Sequence, residues 1–138
     1  MADVASIHRE MFDVVQHRDL TRLRDLYHSE YTYRGPDGEQ GDTEAGVAVA
    51  EAYLSAFPDL AFTVEHQFTP DETTSVIELT ARGTHQGELE GIAPTGRAIE
   101  LVGCNVIEVV DGKIRREREY FDSMSLMVQL GVIEAPGT

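Results

Sequence analysis

The chain has 138 residues, 41% hydrophobic and 26% charged, which is the balance of one globular domain and not of a disordered chain. Its 25 acidic against 11 basic residues give a formal net charge of -14, which argues against nucleic acid or an anionic membrane surface as partner. The single cysteine, Cys104, excludes an intramolecular disulfide, and no stretch reaches the roughly 20 apolar residues of a membrane span, so a soluble cytoplasmic protein is expected.

From Asp3 to His17, apolar residues recur at Val4, Ile7, Met11 and Val14/Val15, the spacing of one helix face. The stretch RDLTRLRDLYH continues with Leu20, Leu23, Leu26 and Tyr27 and predicts a second short helix. YTYRGPDGEQGD reads as a brief strand and a Pro-Asp-Gly turn. Asp42 or Thr43 then caps a third helix, with Val47, Ala50, Tyr53, Leu54 and Phe57 facing inward and Pro58 closing it.

Beyond Pro58 the period changes to two. Segments 60–68, 74–85, 99–110 and 113–122 alternate as half-buried strands, and Asp111-Gly112 is a hairpin signal between the last two. Helices followed by strands predict an α+β domain over 1–138: a conical, curved antiparallel sheet wrapped around N-terminal helices, with an internal cavity. SMSLMVQL after Asp122 reads as a final helix.

The informative residues are polar ones in apolar register. His66 falls among Leu60, Phe62, Val64 and Phe68; His85 ends the face of Ile77, Leu79 and Ala81; Asn105 shares the face of Ile99, Leu101, Ile107 and Val109. In the last strand Tyr120 and Asp122 share parity with Ile114, and so does Arg118; one bulge there would exchange them for Glu117 and Glu119. An unpartnered buried polar group costs about 1–3 kcal/mol, so these groups either satisfy one another in a core network or line a ligand cavity. Asp122 has two readings, the N-cap of the final helix or a catalytic carboxyl in a pocket. GIAPTGRA is a near miss to a phosphate-binding loop, with Arg97 for its lysine and Ala98 for its hydroxyl. No histidine pair has metal-ligand spacing and no G-x-S-x-G elbow occurs, which leaves acid–base chemistry without metal or cofactor.

The segments AFPDL (56–60), ARGTHQGELEGIAPTGRAIELVG (81–103) and NVIEVVDGKIRREREYFD (105–122) resemble the SnoaL-like polyketide cyclases, closest to their ester-cyclase branch, within the nuclear transport factor 2-like and ketosteroid isomerase-like fold group. The resemblance implies a conical barrel with an apolar cavity, an oligomer (most simply a homodimer), and cofactor-free closure of a polyketide ring by an intramolecular aldol reaction. It implies Asp122 as general acid/base and matches His85 to the family's Gly-Thr-His-x-Gly histidine, with His85 and Asn105 polarising or orienting the substrate. Glu117-Arg118 stands where many ester-cyclase relatives carry His-Trp, so the wall here is more charged.

The reading is therefore an acid–base lyase or isomerase acting on a small hydrophobic carbonyl compound. Asp122 and His85 are its catalytic candidates. Tyr33, Tyr53, Phe57, Phe62, His66, Asn105, Arg118 and Tyr120 are its substrate-binding candidates. The alternatives are a non-catalytic ligand-binding module of the same fold and an epoxide hydrolase-like activity.

Overall fold

Aspartates start the helices. In the computed structural model, which describes residues 2–135, the helices are α1 (Val4–Gln16), α2 (Leu20–Leu26), α3 (Thr43–Ala56) and α4 (Ser123–Leu130). Each follows an Asp whose carboxylate accepts from the backbone N–H three residues on. Asp3 takes Ser6 at 2.8 Å, Asp19 takes Arg22 at 3.0 Å, Asp42 takes Ala45 at 3.1 Å and Asp122 takes Ser125 at 3.1 Å. These bonds satisfy amides that have no partner inside the helix.

The strands are β1 (Tyr27–Arg34), β2 (Gln40–Gly41), β3 (Ala61–Phe68), β4 (Thr74–Thr84), β5 (Ala98–Val110) and β6 (Lys113–Phe121). They form one sheet in the order β2-β1-β6-β5-β4-β3. The α+β class expected from the sequence is present, with one correction: the sheet is mixed, because β1 runs parallel to β6 while the other pairs are antiparallel. No two-residue turn can join parallel neighbours, and here the connection includes α3 and the three strands β3, β4 and β5. Asp111 and Gly112 both take positive φ, 54° and 75°, as the β5–β6 hairpin requires.

The inner face of the sheet packs on the helices in two apolar clusters. One joins Ile7, Met11, Leu23, Leu26, Tyr31 and Ile107; the other joins Leu54, Phe57, Leu60, Leu101, Leu126 and Leu130. Gly46 in α3 is required by the first, since a Cβ there would lie 2.8 Å from the Tyr31 ring. No helix among the described residues is long and apolar enough to cross a membrane.

Two bulges decide which side chains reach that inner face. In β6, Ile114 pairs with Val109 and Arg116 with Glu108, so Arg115 is an extra residue. In β3, Val64 pairs with Leu79 and His66 with Glu78, so Glu65 is extra. A bulge reverses side-chain parity beyond it. Glu117, Glu119 and Phe121 consequently turn inward, while Arg118, Tyr120 and His66 turn outward.

Candidate active site

A pocket of about 630 Å³ lies between the inner face of the sheet and α1, α3 and α4. Its walls are mostly apolar, with Phe12, Phe62, Leu101, Phe121, Leu126 and Met127 among them. Asn105, Glu117 and Glu119 are the polar groups on its sheet side, and Tyr33 and Tyr53 add phenols. Asp37, Glu39 and Glu90 complete its acidic residues. None of the lining residues is Lys, Arg or His.

Glu117 is buried, with 8% exposure, and Glu119 is half-buried. Asn105 Nδ2 donates to Glu117 Oε2 at 2.8 Å and also to Glu119 Oε2. Glu117 Oε1 accepts a second bond, from the Tyr31 hydroxyl at 2.5 Å. Burial is the main reason that both carboxyls hold their protons more tightly than usual, with the donors working against it. Glu119, helped by the neighbouring Glu117 charge, is pushed up to about 8. Two donors on Glu117 against one on Glu119 favour the negative charge on Glu117 when the pair holds a single proton. Burial also raises Tyr33 and Tyr53, so their phenols stay protonated.

Behind this pair stands His8 of α1, fully buried. Its Nε2 lies 2.7 Å from Asn105 Oδ1 and its Nδ1 lies 2.7 Å from Ser75 Oγ. Burial lowers its pKa to about 4, so the ring is neutral at pH 7.

The structure separates the candidates drawn from the sequence. Tyr33, Tyr53, Phe62 and Asn105 line the pocket. Asp122 does not: it is exposed, and its carboxylate is engaged by the Ser125 amide as the α4 cap. His85 is fully buried but lies outside the pocket lining, its Nδ1 accepting from the Thr95 N–H at 3.1 Å and its ring tilted against Phe57. Phe57 itself is core, with no exposure. The bulge at Glu65 sends His66 outward to face Glu78 at 3.4 Å. The bulge at Arg115 likewise turns Arg118 to Glu108 at 3.1 Å and leaves Tyr120 48% exposed on the outer face.

The sequence reading left Glu117 and Glu119 inward only if β6 carried a bulge, which it does, and it missed His8, Tyr31 and Ser75. His8 carried a signal, since Val4, His8 and Phe12 follow one another at a spacing of four along the buried side of α1. Among the described residues, no group of three or more His, Cys, Asp or Glu side chains is placed to hold a metal ion.

The model of the SnoaL-like polyketide cyclases matches residues 5–130. The chain belongs to that family. Among characterised relatives, this SnoaL-like protein is 28% identical over 126 residues to the aklanonic acid methyl ester cyclase DnrD of Streptomyces peucetius, covering 89% of this chain and 87% of that one. IdmH of Streptomyces antibioticus superposes with a TM-score of 0.80 at 26% identity, over 92% of this chain and 97% of its own. AclR of Streptomyces galilaeus shares the fold with a TM-score of 0.85 at 24% identity, over 95% of this chain and 82% of its own. Family membership supports a cyclase- or isomerase-type function.

Proposed function

We propose that this SnoaL-like protein is a cofactor-independent acid–base enzyme that closes a ring in a neutral, hydrophobic carbonyl compound by an intramolecular aldol reaction. The observation that carries the reading is the Glu117–Glu119 pair sharing the Asn105 amide in an apolar pocket.

An aldol closure removes a proton from the carbon beside one carbonyl, and that carbon then bonds to a second carbonyl carbon. The oxygen of the second carbonyl takes up a proton, so the reaction is a net rearrangement with no redox change. Glu119, with a pKa of about 8, suits both halves: ionised it accepts the carbon-bound proton, and protonated it returns one to the new alkoxide. Glu117, with two donors to its carboxyl, is the member of the pair that carries charge more readily, and it holds Asn105 in place. The Tyr33 and Tyr53 phenols supply donors for the enolate oxygen. This assigns Glu119 the acid–base role that the resemblance alone gave to Asp122.

Charge narrows the substrate. Five carboxyl groups line the pocket with no basic side chain, so a free carboxylate is repelled and its ester is accepted. The relative DnrD is named for a methyl ester, which fits such a preference. The test is turnover of a polyketide methyl ester against the matching free acid, by wild type and Glu119→Gln. The reading requires the ester to be cyclised at least about ten-fold faster and the variant to be inactive. Equal use of the acid, or an active variant, overturns it.

A further inference from the structure

The carboxyl pair is held by a chain of hydrogen bonds that starts outside the pocket. Gln67 Nε2 donates to the Ala5 carbonyl at 3.0 Å and to Ser75 Oγ at 3.1 Å. Ser75 lies 2.7 Å from His8 Nδ1, and His8 Nε2 lies 2.7 Å from Asn105 Oδ1. Asn105 Nδ2 then serves both carboxyls. His8, Ser75 and Asn105 are each at least 99% buried, so their partners are fixed and water does not compete.

Chemistry allows this chain one direction. Asn105 Nδ2 has two protons and two carboxyl oxygens to receive them, so its Oδ1 faces His8 as an acceptor. His8 Nε2 therefore carries the ring proton. Its Nδ1 is then an acceptor, filled by the Ser75 hydroxyl. A neutral imidazole is a donor on one side and an acceptor on the other, which an aliphatic or charged side chain at position 8 is not.

We propose that His8 is a positioning residue for the carboxyl pair: its Nε2–H locks the Asn105 carboxamide so that both amide protons are delivered to Glu117 and Glu119. The proposal rests on the acid–base reading for its catalytic consequence, while the geometry stands without it. Without that lock, a half-turn of the amide sets Oδ1 against the carboxyls, where it repels negative charge and accepts a proton instead of giving one. The other titratable groups facing the pair are Tyr27, Tyr31 and Tyr33 of β1 and Tyr53 of α3. Farther out are Glu39 and Asp37 of the β1–β2 turn and Glu90 of the β4–β5 loop. None is a cation, so nothing charged replaces the amide as a donor.

The experiment titrates glutamate carboxyls by ¹³C NMR in the ligand-free full chain, comparing wild type, His8→Phe, His8→Met and His8→Gln. The titration of the pair should move up by about one pH unit in the phenylalanine and methionine variants. Glutamine carries a donor and an acceptor on one terminal group and should return it to within about 0.3 units of wild type. Methionine fills the space flexibly, so it decides the matter if phenylalanine prevents folding. An unmoved titration in the apolar variants, or no rescue by glutamine, overturns the proposal. Kinetics with the methyl ester add a second readout. kcat should fall about ten-fold in His8→Met with KM within about two-fold, since His8 does not line the pocket. A fall confined to KM contradicts positioning. If Glu119→Gln stays active while the titration moves, the acid–base reading fails and the positioning role stands. If Glu119→Gln is dead and the titration is unmoved, the reverse holds.

Discussion

Glu117 and Glu119 turn the same way from β6 and divide the two protons of one amide nitrogen between them. The inequality of their other partners gives the pair its chemistry. Tyr31 adds a second donor to Glu117, whereas the second oxygen of Glu119, Oε1, lies beside Gly103, where a Cβ would come within 3.5 Å of it. One acid is thus anchored and the other is free to exchange a proton, in a pocket whose apolar walls make ionisation costly.

Glu119→Gln keeps the size and the acceptor for Asn105 but cannot exchange a proton. Turnover should fall by about 10²–10⁴-fold, the range for loss of a general acid–base, with no loss of melting temperature at neutral pH. In the wild type, kcat/KM should rise with pH and level off above about 8 as Glu119 ionises. A rate that falls over that window contradicts Glu119 as the base. The measurement is a pH–rate profile from pH 6 to about 9.5, covering the Glu119 window.

Glu119 and His8 make stability depend on pH in opposite senses. Glu119 has a folded pKa of about 8 against an ordinary 4.5, so its contribution is fully present below about 4.5 and lost as pH rises to about 8. His8 is the opposite case, lowered from 6.5 to about 4, so its contribution is lost as pH falls through that range. The two oppose one another between 4.5 and 6.5, and above 6.5 the glutamate effect remains. Thermal melts should show the wild type losing at least about 3 °C between pH 6.5 and 8, with Glu119→Gln nearly flat there. Parallel curves for the two proteins rule out a raised Glu119 pKa.

Asp122 supplies the contrast. As the α4 cap it contributes to stability and makes no contact with the pocket. Asp122→Ala should lower stability by about 0.5–2 kcal/mol in denaturant titration while leaving kcat/KM within about two-fold. Asp122→Asn, which keeps a capping oxygen, should behave as wild type in both assays.

Legibility differed between fold and site for one physical reason. Helix periodicity, the Asp caps and the Asp111-Gly112 hairpin are local signals, and they mark most of the architecture in the sequence. The inner faces of β4 and β5 were legible too, because those strands pair without interruption from Thr74↔Glu108 to Thr84↔Ala98, and Asn105 fell where alternation puts it. β3 and β6 each carry an extra residue, and neither Glu65 nor Arg115 announces itself by composition. A bulge is defined by the partner strand, so counting parity along one strand passes through it unaware. An insertion in β6 should therefore be far worse than a replacement. Arg115→Ala should fold and keep activity, whereas one residue inserted after Arg116 turns Arg118 and Tyr120 inward and should abolish the folded state or the activity, by circular dichroism and turnover.

Tyr31 connects packing to the charge on Glu117. Its ring stacks on Tyr27 at 3.8 Å and leaves no room for a Cβ at Gly46, while its hydroxyl is one of the donors that favour the ionised form of Glu117 against burial. Tyr31→Phe preserves the ring and deletes that bond. A buried acceptor left unfilled costs about 1–3 kcal/mol, and Glu117 then competes with Glu119 for the shared proton. The pH–rate profile should lose its single rise near 8 and spread over a broader range, with a lower plateau. Gly46→Ala displaces the same ring by contact and should lower the melting temperature as well as the plateau. If Tyr31→Phe destabilises the protein but leaves the profile unchanged, the hydroxyl serves packing alone and the charge assignment between the two glutamates is wrong.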